Sequence, residues 1–140
     1  MGSPTAMRYR NLGDGYRHLN RHAEAAAAYR NARVLAEADV ARNPRAGNAR
    51  VTLALVEALL GDRRQAEFEV AQAVALQPDD ALVARNAAIT YEVLGQREKA
   101  LALLRKLPPF VLKELSRQPD LKSLSKDPRF QDMMPKLSNP

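Results

Sequence analysis

A chain of 140 residues is long enough for a single domain with its own core. Alanine is abundant and β-branched residues are few, so helix is the natural expectation. The net charge is +6 and there is no cysteine, which excludes disulfides and thiolate metal sites; every apolar run is broken by charge before it reaches membrane-spanning length.

Residues 1–5 are small and uncharged with no apolar run behind them, and read as a disordered or vector-derived leader rather than a signal peptide. From about Thr5 to His18, Tyr9, Leu12, Tyr16 and Leu19 recur at helical spacing, with Thr5 as the expected cap. Asn20-Arg21 makes a turn. Ala25, Ala28, Tyr29, Ala32 and Leu35 then open a helix with no stop signal before Asn43-Pro44, about 20 residues or roughly 30 Å. Pro44 is expected to start the next helix with Asn43 as its cap. Its apolar stripe is Leu53, Val56, Leu59 and Leu60, and Gly61-Asp62 ends it. Ala66, Val70, Ala73 and Val74 mark its partner, closed by Gln77-Pro78. Asp79 or Asp80 caps a helix carrying Leu82, Val83, Ala87, Tyr91 and Leu94. A last partner runs from about Arg97 to Lys106 and stops at Pro108-Pro109.

The tail, 109–140, reads as short helices. One ends before Pro119, and Pro119-Asp120 and Asp127-Pro128 each look like an Asp-linked helix start. Leu121, Leu124, Phe130, Met133 and Met134 are expected to cap the end of the preceding helices; an adaptable binding surface at the two methionines is the alternative.

One pattern organises this chain. Leu60-Gly61-Asp62-Arg63-Arg64-Gln65-Ala66 returns 34 residues later as Leu94-Gly95-Gln96-Arg97-Glu98-Lys99-Ala100, and a weaker copy, Leu19-Asn20-Arg21-His22-Ala23-Glu24-Ala25, lies 41 residues upstream. Such periods belong to stacked helical hairpins. Glycine after the last helical turn permits the left-handed conformation that ends a helix, and small Ala66 and Ala100 let paired helices approach. The extra seven residues of the first unit are nearly two turns, so they lengthen the helix while rotating its apolar face by only about 20°.

The pattern resembles the tetratricopeptide repeat. Tyr9, Leu12-Gly13, Tyr16, Ala25, Tyr29 and Ala32 match it in a first unit (about 6–43). Leu53, Ala54, Leu60-Gly61, Ala66, Ala73 and Pro78 match in a second (44–78), where Glu57 replaces the expected tyrosine. Ala88, Tyr91, Leu94-Gly95 and Ala100 match in a third (79–108). The resemblance implies an all-α fold: a right-handed superhelical stack of helix-turn-helix hairpins with C-terminal capping helices. The long first unit and the tail look like repeat modules attached to bacterial serine/threonine kinases and related signalling proteins. Function is then expected in a concave groove lined by the first helix of each hairpin. By family position these are Met7, Arg10, Asp14 and Arg17; Asn48, Val51, Thr52 and Leu55; and Leu82, Arg85, Asn86 and Ile89. Arginines around an apolar strip of Val51, Leu55 and Ile89 suit a protein or peptide partner with an acidic amphipathic segment. Family members that clamp the acidic C-terminus of chaperones use a Lys/Asn/Arg set that this chain lacks, and Asp14 would repel a terminal carboxylate.

No catalytic constellation is found. His18 and His22 are expected to be separated by a turn, there is no glycine-rich phosphate loop, and no serine stands with a histidine and an acid in a recognisable context. No metal or cofactor is expected. Residues 1–50 carry a charge of +5, residues 51–100 a charge of −3 and residues 101–140 a charge of +4. Basic ends raise nucleic acid as a partner, but no aromatic stacking residues are interleaved with the arginines. Self-association is the alternative to a foreign partner.

Overall fold

The computed structural model describes residues 4–134, with the side chains of 6–134. All regular structure among them is helical. Helices α1 (Pro4–His18) and α2 (His22–Arg42) pair, as do α3 (Gly47–Leu59) with α4 (Arg63–Leu76) and α5 (Ala81–Val93) with α6 (Arg97–Leu104). The pairs are joined through α3, which packs on both α2 and α5, and through α4 on α5; α1 meets α3 only sparsely. The tail forms α7 (Pro109–Leu115), a 3-10 turn (Pro119–Leu121), α8 (Lys122–Ser125) and α9 (Pro128–Gln131).

The repeated turn has one geometry in all three places. Asn20, Gly61 and Gly95 lie in the left-handed region at φ 62°, 84° and 77°. The N–H of the next residue donates to the carbonyl five positions back: Arg21 to Tyr16, Asp62 to Glu57 and Gln96 to Tyr91, at 2.8–2.9 Å. This closure satisfies a carbonyl that the helix end would leave orphaned. Asparagine tolerates the conformation, so the weaker first copy works by the same mechanism.

Other boundaries differ from expectation. Pro4 and Thr5 belong to α1, so Thr5 is not its cap; the rest of the expected leader, residues 1–3, lies outside the described residues. Residues 43–46 form a turn and α3 starts at Gly47, whose N–H donates to Gln77 Oε1 at 2.6 Å. A side chain from the end of α4 thus caps α3, where the sequence pointed to Asn43 and Pro44. Asp80 caps α5 by accepting from the Val83 N–H at 3.0 Å. Asp127 does the same for α9 with Arg129, but Asp120 caps nothing; its carboxylate is used elsewhere.

The main apolar cluster runs from α3 and α4 through α5 and α6 into the tail, where Leu112, Leu115, Leu121, Leu124 and Phe130 are all buried. A second cluster holds Ala25, Tyr29, Ala32 and Val56 between α2 and α3. Tyr29 also lies against α1 at Gly13, where a Cβ would stand 2.5 Å from its ring, so the α1–α2 crossing requires glycine there. Leu12, 47% exposed, and Leu19 are not core, although both fit the helical periodicity. Glu57, in the position expected to hold an aromatic, is 2% exposed.

Candidate partner-binding face

At the C-terminal half of α1, three of the expected site residues join one polar network. Arg10 pairs with Asp14 one turn on, at 3.2 Å. The Tyr29 hydroxyl donates to Asp14 Oδ1 at 2.6 Å and accepts from Arg17 Nε at 3.0 Å. Arg17 Nη2 reaches the carboxylate of Asp120, 103 residues away, at 2.8 Å. Burial, then the hydrogen bond to Asp14, pushes the Tyr29 hydroxyl upward, so it stays a neutral donor. Burial works against the Arg17 charge, but the hydrogen bond it donates to Tyr29 and the charge of Asp120 outweigh it, and the guanidinium is held more firmly protonated.

On α5, Arg85 pairs with Glu114 of α7 at 3.3 Å. Its neighbour Asn86 is buried with Oδ1 lacking a hydrogen-bond partner, while the Asn86 carbonyl accepts from Thr90 Oγ1 at 2.8 Å. On α3, Thr52 Oγ1 donates back to the Asn48 carbonyl at 2.9 Å, and the Asn48 side chain is exposed.

The apolar part of the expected groove is placed differently. Val51, Leu55 and Ile89 are at most 1% exposed and belong to the main cluster together with Leu115, Leu121 and Leu124 of the tail. With Asn86 they are interior residues and offer no open strip. Met7 and Leu82 remain exposed. Thus α1 gathers Arg10, Asp14 and Arg17, α5 carries Arg85 with its own acid, and Asn48 and Thr52 join neither group through a described contact.

The tail does more than cover the last hairpin. At one end Arg97 of α6 holds Glu92, Ser123 and Asp127, and Arg129 pairs with Asp127 and Glu98. At the other, Asp120 reaches α1. Asp120 and Glu114 were absent from the sequence-based site, because nothing local in the sequence indicates a contact across 103 positions. What the tail did offer was acid followed by leucine, twice: Glu114-Leu115 and Asp120-Leu121.

A second group of charges lies in the second hairpin, on its side toward α2. Arg50 Nη1 donates to Glu69 at 2.7 Å, and nearby Glu57 is buried with Oε1 unpaired. Burial first, and then the charges of Glu69, Asp62 and Glu37, raise the Glu57 carboxyl to about 7, with Arg33 opposing. Its sequence signal was the departure from the aromatic pattern. Among the described residues no cluster of three His, Cys, Asp or Glu side chains could hold a metal, and His18 and His22 lie exposed on different helices. No helix described is long and apolar enough to cross a membrane. No family model, curated protein or solved structure matches this chain.

Proposed function

We propose that the chain is a protein–protein interaction scaffold of tetratricopeptide type, a regulatory module of a larger signalling protein. It binds a partner's acidic amphipathic segment across the first helices of its hairpins. The three equivalent turns, each with a left-handed residue and the same closing hydrogen bond, support the repeat reading. The observation that carries the functional reading is the pairing chemistry of Arg17 and Arg85. Each takes a carboxylate from a segment whose adjacent leucine, Leu121 or Leu115, enters the cluster of Leu55 and Ile89. A partner offering acids and leucines at similar spacing takes the place of the tail at the same donors and in the same cluster.

Selection of a random peptide library against the full chain tests this. Enrichment of acidic, leucine-bearing peptides is expected, with Arg17→Glu or Arg85→Glu lowering their affinity about tenfold and leaving helical content unchanged. Binders without acidic bias, or binders indifferent to both substitutions, would refute it.

A further inference from the structure

We propose that residues 109–131 form a displaceable strap: the tail occupies the partner-binding face in cis and gives way to a partner segment carrying the same acid-and-leucine chemistry. This rests on the function proposed above and adds how that site is controlled.

Three features of the strap point the same way. Its helices have seven, four and four residues, too short to hold themselves without the surface beneath them. The backbone of α7 makes few close approaches to the hairpin helices, and only the 3-10 turn lies against α5, so side chains do most of the anchoring: Leu112, Leu115, Leu121, Leu124 and Phe130 in the core, with the Arg97 and Arg129 pairs at the far end. The strap leaves α6 through Leu107-Pro108-Pro109, where Pro108 is extended at φ −63° and ψ 151° and ends the helical path. Segments with low backbone contact density are the first to open in a folded protein.

The occupant follows from what the strap leaves behind. Opening frees Arg17, still oriented by Tyr29 and Asp14, and Arg85, and empties the places that Leu112, Leu115, Leu121 and Leu124 fill in the main apolar cluster, which the 3-10 turn reaches against α5. Two cations beside an apolar surface, one of them held in place by Tyr29, require carboxylates and aliphatic side chains together. A purely acidic peptide leaves the apolar surface wet, and a purely apolar one leaves the arginines unpaired. The closed strap competes at the effective concentration of a tethered ligand, so partners that only match part of it are excluded.

The probe is a fluorescein-labelled synthetic peptide of residues 109–131, titrated by anisotropy into the full chain and its Asp120→Arg variant. That substitution sets like charges against each other at Arg17 and loosens the strap. The expected result is peptide affinity about tenfold higher for the variant than for the wild type, lost again when Arg17→Ala, which removes the donor without re-forming an ion pair, is added to the variant. Equal affinity of variant and wild type with unchanged helical content means that the strap is fixed, and overturns the proposal. A second measurement needs no variant. In native-state hydrogen exchange of the wild-type chain, amides of 112–125 are expected to exchange at least 100-fold faster than those of α3 and α5. Exchange of the tail only by global unfolding overturns the proposal even if Asp120→Arg fails to fold. A variant that becomes a dimer where the wild type is monomeric places a second copy's tail on the face, and overturns the foreign-partner assignment. Failure of the functional reading gives a different result: the strap opens, but no library peptide depends on Arg17 or Arg85.

Discussion

Replacing Glu57 by glutamine tests how this fold tolerates a carboxyl buried in its second hairpin. In the folded chain the group is buried, with one oxygen unpaired, and protonates near 7; in the unfolded chain it protonates near 4.5. The folded state therefore holds the proton more tightly. Stability is unaffected below about pH 4.5, falls as pH rises through the interval up to about 7, and is reduced by the full amount above it. At 1.36 kcal/mol per unit of pKa difference, this group alone lowers stability by about 3 kcal/mol at high pH, most of it between pH 5 and pH 8. In a chain of this size that is roughly 10 °C in melting temperature. The assay is urea denaturation of wild type and Glu57→Gln at pH 5 and pH 8. The absolute stability of the variant is not diagnostic, because the glutamine amide inherits the poorly paired site. The difference between the two pH values is diagnostic: about 2–3 kcal/mol larger for the wild type. A wild type whose stability falls no more steeply than the variant's over this range would refute the reasoning.

Gly95→Val places a β-branched residue at φ 77° and is expected to destabilise the fold by about 2 kcal/mol or more, measured as a shift in urea midpoint. Asn20→Gly, at φ 62° in the equivalent turn, is expected to be neutral or stabilising by up to about 1 kcal/mol in the same assay. Gly13→Ala drives a methyl into the Tyr29 ring and is expected to cost about 1–3 kcal/mol, with near-ultraviolet dichroism reporting the displaced tyrosine. Arg85→Glu removes a pair whose acid is largely exposed, so circular dichroism should remain helical and stability should change by under about 1 kcal/mol. If Arg85→Glu unfolds the chain, Arg85 is a structural residue and its place in the binding face is wrong.

The three hairpin turns were legible in the sequence because their cause is local. A left-handed residue after a helical turn needs glycine or asparagine, and Leu-Gly or Leu-Asn before a charged turn marks it at positions 20, 61 and 95. The pairing of apolar stripes is nearly as local, so Ala66, Ala100 and Tyr29 could be read as core before any coordinates. Burial that depends on a distant segment could not. Leu55 and Ile89 look like exposed groove residues when only their own helices are considered, but packing among α3, α4, α5, α6 and the tail puts both in one buried cluster with Leu115, Leu121 and Leu124. Asp120 reads as a helix cap from its neighbours, but Arg17 offers its carboxylate a charged partner that the backbone at 119–121 does not. Gly47 finds its cap in Gln77 for a similar reason: the partner arrives through space from the end of another helix. The sequence by itself determined where helices stop and which face of each is apolar, since steric and hydrophobic rules act within a few residues. Only the tertiary structure decided which apolar face is covered by the chain's own tail, because that depends on contacts up to 103 positions apart.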